Sequence, residues 1–496
     1  MNSISKLILL AAVSSLALAS CEKAQTTAGA NESSANETPA SVATPINSNV
    51  KSNGKAKNVI LFIGDGMGIS TITAARIFDG QSKGMSGEDN MLSFEEFPHL
   101  SLVKTYNLDA QVADSAGTAS AMNTGLKTQI SKINVRPDGL FAGCADSAAV
   151  QTTLFADMAE RAGMSTGIVT TTRLTHATPA AFYGHSPSRY WEHDGDITPD
   201  GVQRGCIDLA TQMINYSGTG MDGGLEIALG GGRRNFLSKD EGGRRKDGVN
   251  LTVNWSKKSN AHTYVGDASA LRALDPADKN NVLGLFDKSH LDYEADRENA
   301  EQPSLTEMTE FAIKNLEARG TGYYLMVEAG RIDHAHHGSN AYRALSETQE
   351  LARAVALADK LTNDEDTLIL VTADHSHVLT IAGYPALGNP ILGLVRSIDR
   401  KTGKPSSETS KDADGLPYTT LGYHNGQNPR SDVPQTDNMV QAKDYKQQSA
   451  IRRASETHAG EDVALYAKGP GADKVHGVID QAEIFDIMVE AVGLDK

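Results

Sequence analysis

Short unbroken runs of aliphatic and β-branched residues recur along the chain, each ending in glycine, threonine or an acid. Residues 57–63 read Lys-Asn-Val-Ile-Leu-Phe-Ile, the pattern of a strand buried on both faces. The turn Gly64-Asp-Gly-Met-Gly68 follows. Similar runs at 165–171, 225–232, 323–327, 366–372 and 463–467 predict further strands. Between them, 3.6-residue periodicity predicts helices over 69–78, 305–318, 341–361 and about 481–492. Strands alternating with helices make this an α/β chain, with a central, mainly parallel sheet flanked by helices. Residues about 385–449 interrupt the alternation with Gly, Pro, Ser and Asp and predict an insertion that leaves the sheet and returns. No internal repeat is evident.

Composition adds two things. A chain of 496 residues, 39% hydrophobic and 22% charged, can bury a large core. A net charge of −16 argues against nucleic acid or an anionic membrane surface as the main partner. An acidic protein acting on an anion would need bound cations to offset its own field. Residues 1–20 carry one charge, Lys6, then an apolar run over 7–13, and lead into Leu18-Ala-Ser-Cys21. This is a secretory signal, and the tetrad resembles a bacterial lipobox, with Cys21 as the lipid-modified residue. Plain cleavage with Cys21 incidental is the competing reading. Residues 21–56 are small and polar and read as a flexible tether, with the catalytic body over 57–496. The expected location is therefore the periplasm or cell envelope, with membrane contact through the lipid alone. Cys144 and Cys206 could pair in an oxidising compartment or stay as two buried thiols.

The candidate chemistry sits where the strands end. Asp65, Glu328, Asp374 and His375 each follow or close a predicted strand, and His176 and Thr178 come shortly after one. In an open parallel sheet the carboxyl ends share one crevice, so these distant residues would converge. Asp333 and His337 are four apart and would share a helix face; with His458 they complete a set of carboxylates and imidazoles. Nitrogen-bearing subsites suit zinc, and an all-oxygen subsite suits magnesium. Ser115, in Asp114-Ser-Ala-Gly-Thr-Ala-Ser-Ala-Met122, falls in the first turn of a predicted helix. There its hydroxyl sits in a positive field, although Asp and Ser at that place are also ordinary caps. The histidines fall in ligand patterns and not beside Ser115. Gly64-x-Gly66-x-Gly68 lacks the spacing of a dinucleotide fingerprint. Three readings compete: a metal-dependent hydrolase, a surface lipoprotein that binds metal or phosphate, and polar loops sharing no edge.

Six ordered segments carry a resemblance: Gly-Asp65-Gly-Met-Gly, Asp114-Ser-Ala-Gly-Thr-Ala, Thr-His176-Ala-Thr-Pro, Val-Glu328-Ala-Gly-Arg-Ile-Asp-His-Ala-His-His337, Thr-Ala-Asp374-His-Ser-His and Glu-Thr-His458-Ala-Gly-Glu-Asp. Together they resemble the motifs of alkaline phosphatases, closer to the branch that includes the animal enzymes. The resemblance implies hydrolysis of phosphate monoesters through a phosphoserine at Ser115, with two Zn2+ and one Mg2+ per subunit. It implies that Asp333, His337 and His458 hold one zinc, and that Asp65, Asp374 and His375 hold the other, with Ser115 joining in the free enzyme. Asp65, Thr178 and Glu328 would hold magnesium, with His176 acting through a metal-bound water. Arg189 would clamp two phosphate oxygens, and His334 would approach phosphate through water. It further implies a Cys144–Cys206 disulfide, a crown-like insertion and a homodimer. A phosphodiesterase or another hydrolase of the same superfamily is the nearest alternative activity.

Overall fold

The computed structural model describes residues 55–136, 144, 152–217, 224–297, 301–430 and 432–495. Cys21 and nearly all of the expected signal and tether lie outside the described residues. Asn58–Gly64 is buried at every position, as its unbroken apolar run requires. It runs parallel to Tyr323–Ala329 on one side and Thr367–Ala373 on the other. Around these three the main sheet has ten strands, in the order His476–Asp480, His99–Lys104, Val463–Lys468, Thr367–Ala373, Asn58–Gly64, Tyr323–Ala329, Ser165–Arg173, Ile227–Gly231, Asn281–Leu285 and His262–Val265. Val463–Lys468 is antiparallel to both neighbours; every other pairing is parallel. The expected central, mainly parallel sheet is therefore present. The strands without a clear sequence signal are the outer pairs. They are shorter or alternate between buried and exposed, as in His99–Lys104, because one face or edge meets water.

Helices flank the sheet. Leu305–Arg319 is capped by Ser304, whose side chain accepts from Glu307 N, and ends at Gly320 in the left-handed region. Ala341–Leu361 buries Ala344, Leu345, Leu351, Val355 and Ala358, a one-sided spacing that seats it against the core. Tyr323–Ala329 is longer than its apolar run, so Glu328 lies inside the strand and not after it. A strand's last residues can be polar where its edge opens on a site.

The insertion forms its own four-stranded sheet from Leu379–Ile381, Leu421–Gly426, Gln448–Arg452 and Asn428–Pro429. It reaches beyond the expected 385–449 on both sides. Its first strand is only three residues and directly follows Asp374-His-Ser-His377, so it has no separate apolar signature. Leu379, Leu421 and Tyr423 pack into the main core. Cys144 and Cys206 form a disulfide with Cα atoms 4.7 Å apart.

Candidate metal centre

Gly64 stands in register with both Ala329 and Ala373, so three strands deliver their carboxyl ends to one edge. Asp65, Glu328 and Asp374 arrive there buried. Gly66 turns the chain with a φ of 72° and donates its N–H to Asp374 Oδ1 at 3.0 Å. A Cβ at Gly66 would collide with His377, so the tight turn and the close approach both demand glycine.

The helix Arg331–His337 places His337 Nε2 3.2 Å from Asp333 Oδ1. His458 Nε2 lies 3.3 Å from the same oxygen and 3.2 Å from His337 Nε2. A tetrahedral zinc with bonds of about 2.0–2.1 Å separates its ligand atoms by roughly 3.3–3.4 Å, so this triangle has ligand spacing. The second set, Asp65, Asp374 and His375, has His375 Nε2 3.4 Å from both Asp65 Oδ1 and Asp374 Oδ2. Backbone carbonyls fix the rings. His337 Nδ1 contacts Glu456 O and His458 Nδ1 contacts Ala113 O, each at 2.7 Å. With the proton on Nδ1, the Nε2 lone pair is left for a metal.

The third set is defined by what its oxygens lack. Glu328 Oε2 accepts from Thr170 and, at 3.0 Å, from Thr172. Glu328 Oε1, Thr178 Oγ1 and both Asp65 oxygens are buried without a hydrogen-bond partner. Leaving such groups unpaired costs several kcal/mol; a hard cation with oxygen ligands would satisfy Glu328 Oε1, Thr178 Oγ1 and one Asp65 oxygen, while Asp65 Oδ1 faces the second set. A ring nitrogen of His176 lies within 4.8 Å of the Asp65 and Glu328 carboxylates.

Electrostatics point the same way. Burial, then Asp374, Asp333 and Glu328, push Asp65 well above the usual carboxylate range. Burial pushes Glu328 up to about 7 and raises Asp374. At Asp333 burial also opposes ionisation, but His337, His377 and His458 overcome it and hold the carboxyl well below its ordinary value. Crowded carboxylates raised by one another form a seat for divalent cations.

On the anion side, Asp114 has two tasks. Its Oδ1 accepts from Gly117 N at 3.2 Å, starting the helix Ser115–Thr124, and its Oδ2 holds Arg189 Nη1 at 3.1 Å. Arg189 Nη2 reaches His176 Nε2 at 3.3 Å, and the His176 and His334 rings are 5.5 Å apart. Ser115 Oγ lies 3.3 Å from His375 Nε2. This corrects the expectation that no histidine would stand beside Ser115: the helix start and the end of Thr367–Ala373 meet at the same edge.

Residues 56–494 match the family model of alkaline phosphatase. The chain belongs to the alkaline phosphatase family. The tissue-nonspecific alkaline phosphatase of Gallus gallus is 41% identical over 455 residues, covering 88% of this chain and 84% of the relative. The alkaline phosphatase of Gadus morhua is 40% identical over 456 residues, covering 88% and 92%. Among solved structures, the alkaline phosphatase of Thermus thermophilus covers 90% of this chain and 93% of its own, with a TM-score of 0.63 at 24% identity. The alkaline phosphatase of the Antarctic bacterium TAB5 covers 89% and 99%, with a TM-score of 0.60 at 22% identity. These two share the fold. The chain is a metal-dependent phosphatase acting on phosphate monoesters, and the reading as a non-enzymatic lipoprotein is not favoured.

In this alkaline phosphatase the residues named from the sequence as metal ligands gather with Ser115 and Arg189 near one edge, but two contributors went unassigned. His377 is fully buried between Asp333 Oδ1 at 2.8 Å and Glu456 Oε2 at 2.6 Å. The signal was available in Asp-His-Ser-His: alternate residues of an extended segment face one way, and His377 is paired directly with His458. Thr118 Oγ1, one turn into the Ser115 helix, donates to Asp374 Oδ2 at 3.2 Å; nothing in the sequence distinguished it from a helix-packing threonine.

Proposed function

We propose that this alkaline phosphatase works with two Zn2+ and one Mg2+ per subunit and with Ser115 as its nucleophile. Asp333, His337 and His458 would hold one zinc, Asp65, Asp374 and His375 the other, and Asp65, Thr178 and Glu328 the magnesium. The observation that carries this reading is the match between two sets of ligand atoms at zinc spacing and the unpartnered oxygens of Asp65, Thr178 and Glu328 at the third. When bound, the ions compensate charge on the attacking and departing oxygens of an in-line displacement. Arg189 presents two N–H groups to two non-bridging phosphate oxygens, and the start of the Ser115 helix adds backbone N–H groups and a favourable field. The bond from Ser115 Oγ to phosphorus forms as the bond to the alcohol oxygen breaks, the hydroxyl proton passing to water beside His176 and the departing oxygen taking a proton from water. Water then attacks the phosphoserine from the vacated side and returns Ser115. His176 orders water beside Asp65 and Glu328, and His334 orders water beside the phosphate.

Two in-line displacements give net retention at phosphorus, whereas direct attack by water inverts once. A monoester made chiral with oxygen isotopes and transferred to an alcohol acceptor separates the two. Net inversion in the wild type removes Ser115 from the covalent role.

We extend the proposal to assembly and location. Leu100 and Leu102 are 52% and 38% exposed, and Val478, in register with Leu102, is 59% exposed. These exposed apolar side chains on two paired strands support a homodimer; sedimentation tests it. The lipobox-like Leu18-Ala-Ser-Cys21 supports export and a lipid anchor. Activity should then fractionate with membranes until detergent is added, and Cys21→Ser should release it.

A further inference from the structure

Gln427, Arg452, Arg453 and Ala454 line an open cleft of about 500 Å³. Two connections tie it to the backbone of His337. Gln427 donates from Nε2 to the backbone oxygen of His337 at 3.4 Å, while its Oε1 is held by Lys446. The segment carrying the arginines leads directly into Glu456, whose N–H donates to that same oxygen at 3.2 Å and whose carbonyl holds the His337 ring. Arg452 ends the strand Gln448–Arg452 in register with Gly426, and Arg453 N donates to Gly426 O at 2.8 Å. The backbone beneath the two guanidinium groups is therefore fixed. Neither guanidinium has an ion pair or hydrogen bond among the described residues, although acids outnumber Lys and Arg by 62 to 46 in the chain.

Two adjacent arginines left open beside a metal site, in an acidic protein, select for anions. We propose that this cleft is an anion subsite for the alcohol portion of the substrate, favouring phosphate monoesters whose leaving group carries a second negative charge. The proposal rests on the phosphatase reading of the centre, with His337 and His458 on the side from which the alcohol departs. It assigns Arg452 and Arg453 to substrate selection and leaves the displacement to the centre.

The test compares two esters that differ at one position, 3-phosphoglycerate with its carboxylate and glycerol 1-phosphate with a hydroxymethyl group. In the holoenzyme, the double variant Arg452→Gln/Arg453→Gln should lose about tenfold in kcat/KM on 3-phosphoglycerate, chiefly through KM. On glycerol 1-phosphate it should change by less than about twofold. The wild-type preference for the carboxylated ester should shrink as salt is added. An equal loss on both esters, or dissociation of the oligomer in the variant, would assign the arginines to packing or an interface and overturn the subsite. No loss on either would also overturn it. If the wild type hydrolyses neither ester, the phosphatase reading fails. Calorimetric binding of 3-phosphoglycerate then still decides, since equal affinity in wild type and variant refutes the cleft's role.

Discussion

Replacing His377 with glutamine removes the ring that hydrogen-bonds the Asp333 carboxylate on one side and the Glu456 carboxylate on the other. Both bonds join fully or nearly fully buried groups, at 2.8 Å and 2.6 Å. Burial disfavours the charged ring, but Glu456 and Asp333 outweigh it and push His377 up to about 10. The imidazolium is thus sandwiched between two carboxylates. A shift from 6.5 to about 10 sets an upper bound of about 5 kcal/mol on the linked stability, in line with the ~3–5 kcal/mol lost when a buried pair is broken. Glutamine can replace one bond, so a loss of about 3 kcal/mol is expected. The sign is fixed: a raised histidine contributes fully below about pH 6.5, and its contribution disappears as pH rises through about 10. The gap between wild type and variant in urea unfolding should therefore be wide at pH 7 and narrow above pH 10. Because Asp333 is also a proposed zinc ligand, zinc affinity should fall about 10–100-fold, as for other groups that orient a ligand. Competition with a chromophoric chelator measures it. Zinc affinity within twofold of wild type, with unchanged unfolding at pH 7, would refute the reasoning.

Asp65→Ala should lower both zinc and magnesium content, because Asp65 belongs to two ligand groups, whereas Thr178→Ala should lower magnesium alone; elemental analysis of the purified variants checks this. Away from the centre, burial and then Glu226 push Glu160 up to about 8, and both carboxylates bond the same residue, Thr166. A raised carboxyl keeps the fold fully stable below about pH 4.5 and loses that contribution as pH rises through about 8. Glu160→Gln should thus raise Tm at pH 9 by a few degrees and at pH 5 by no more than about one degree, measured by thermal unfolding.

The parts of the fold that the sequence revealed are those buried on both sides. Asn58–Gly64, Tyr323–Ala329 and Thr367–Ala373 have no exposed position, so their runs are unbroken and the acids at their ends stand out. His99–Lys104 alternates, and His476–Asp480 exposes its first three residues; neither differs in pattern from a polar loop. The same physics separates the proposed ligands from their supports. Asp65, Glu328 and Asp374 are conspicuous as charges at the ends of apolar strands, whereas His377 looks like a second copy of His375 until the ribbon with His458–Ala459 places it. Neither Thr118 nor the cleft at Arg452 and Arg453 could be read in advance, because each depends on which distant segment lies opposite.

The edge that makes the site also makes it a liability without cations. Asp65, Asp374 and Glu328 are buried and raised together, and oxygens of Asp65, Thr178 and Glu328 lack partners. Folding without metal must either protonate these groups or hold them unpaired, and each ion that binds only the folded state removes part of that penalty. With three ions each at about 100 times its dissociation constant, the linkage is about 2.7 kcal/mol per ion and about 8 kcal/mol in total. A body of this size has an unfolding entropy of roughly 0.9 kcal/mol/K, which converts that sum into a Tm drop of roughly 9 °C on chelation. Restoring zinc alone should recover most of the drop in the wild type, and magnesium should recover the rest. In Thr178→Ala the magnesium increment should vanish while the zinc increment persists. Calorimetry of the chelated and reloaded protein measures both, and a Tm unmoved by chelation would mean that these carboxylates are not held together by cations.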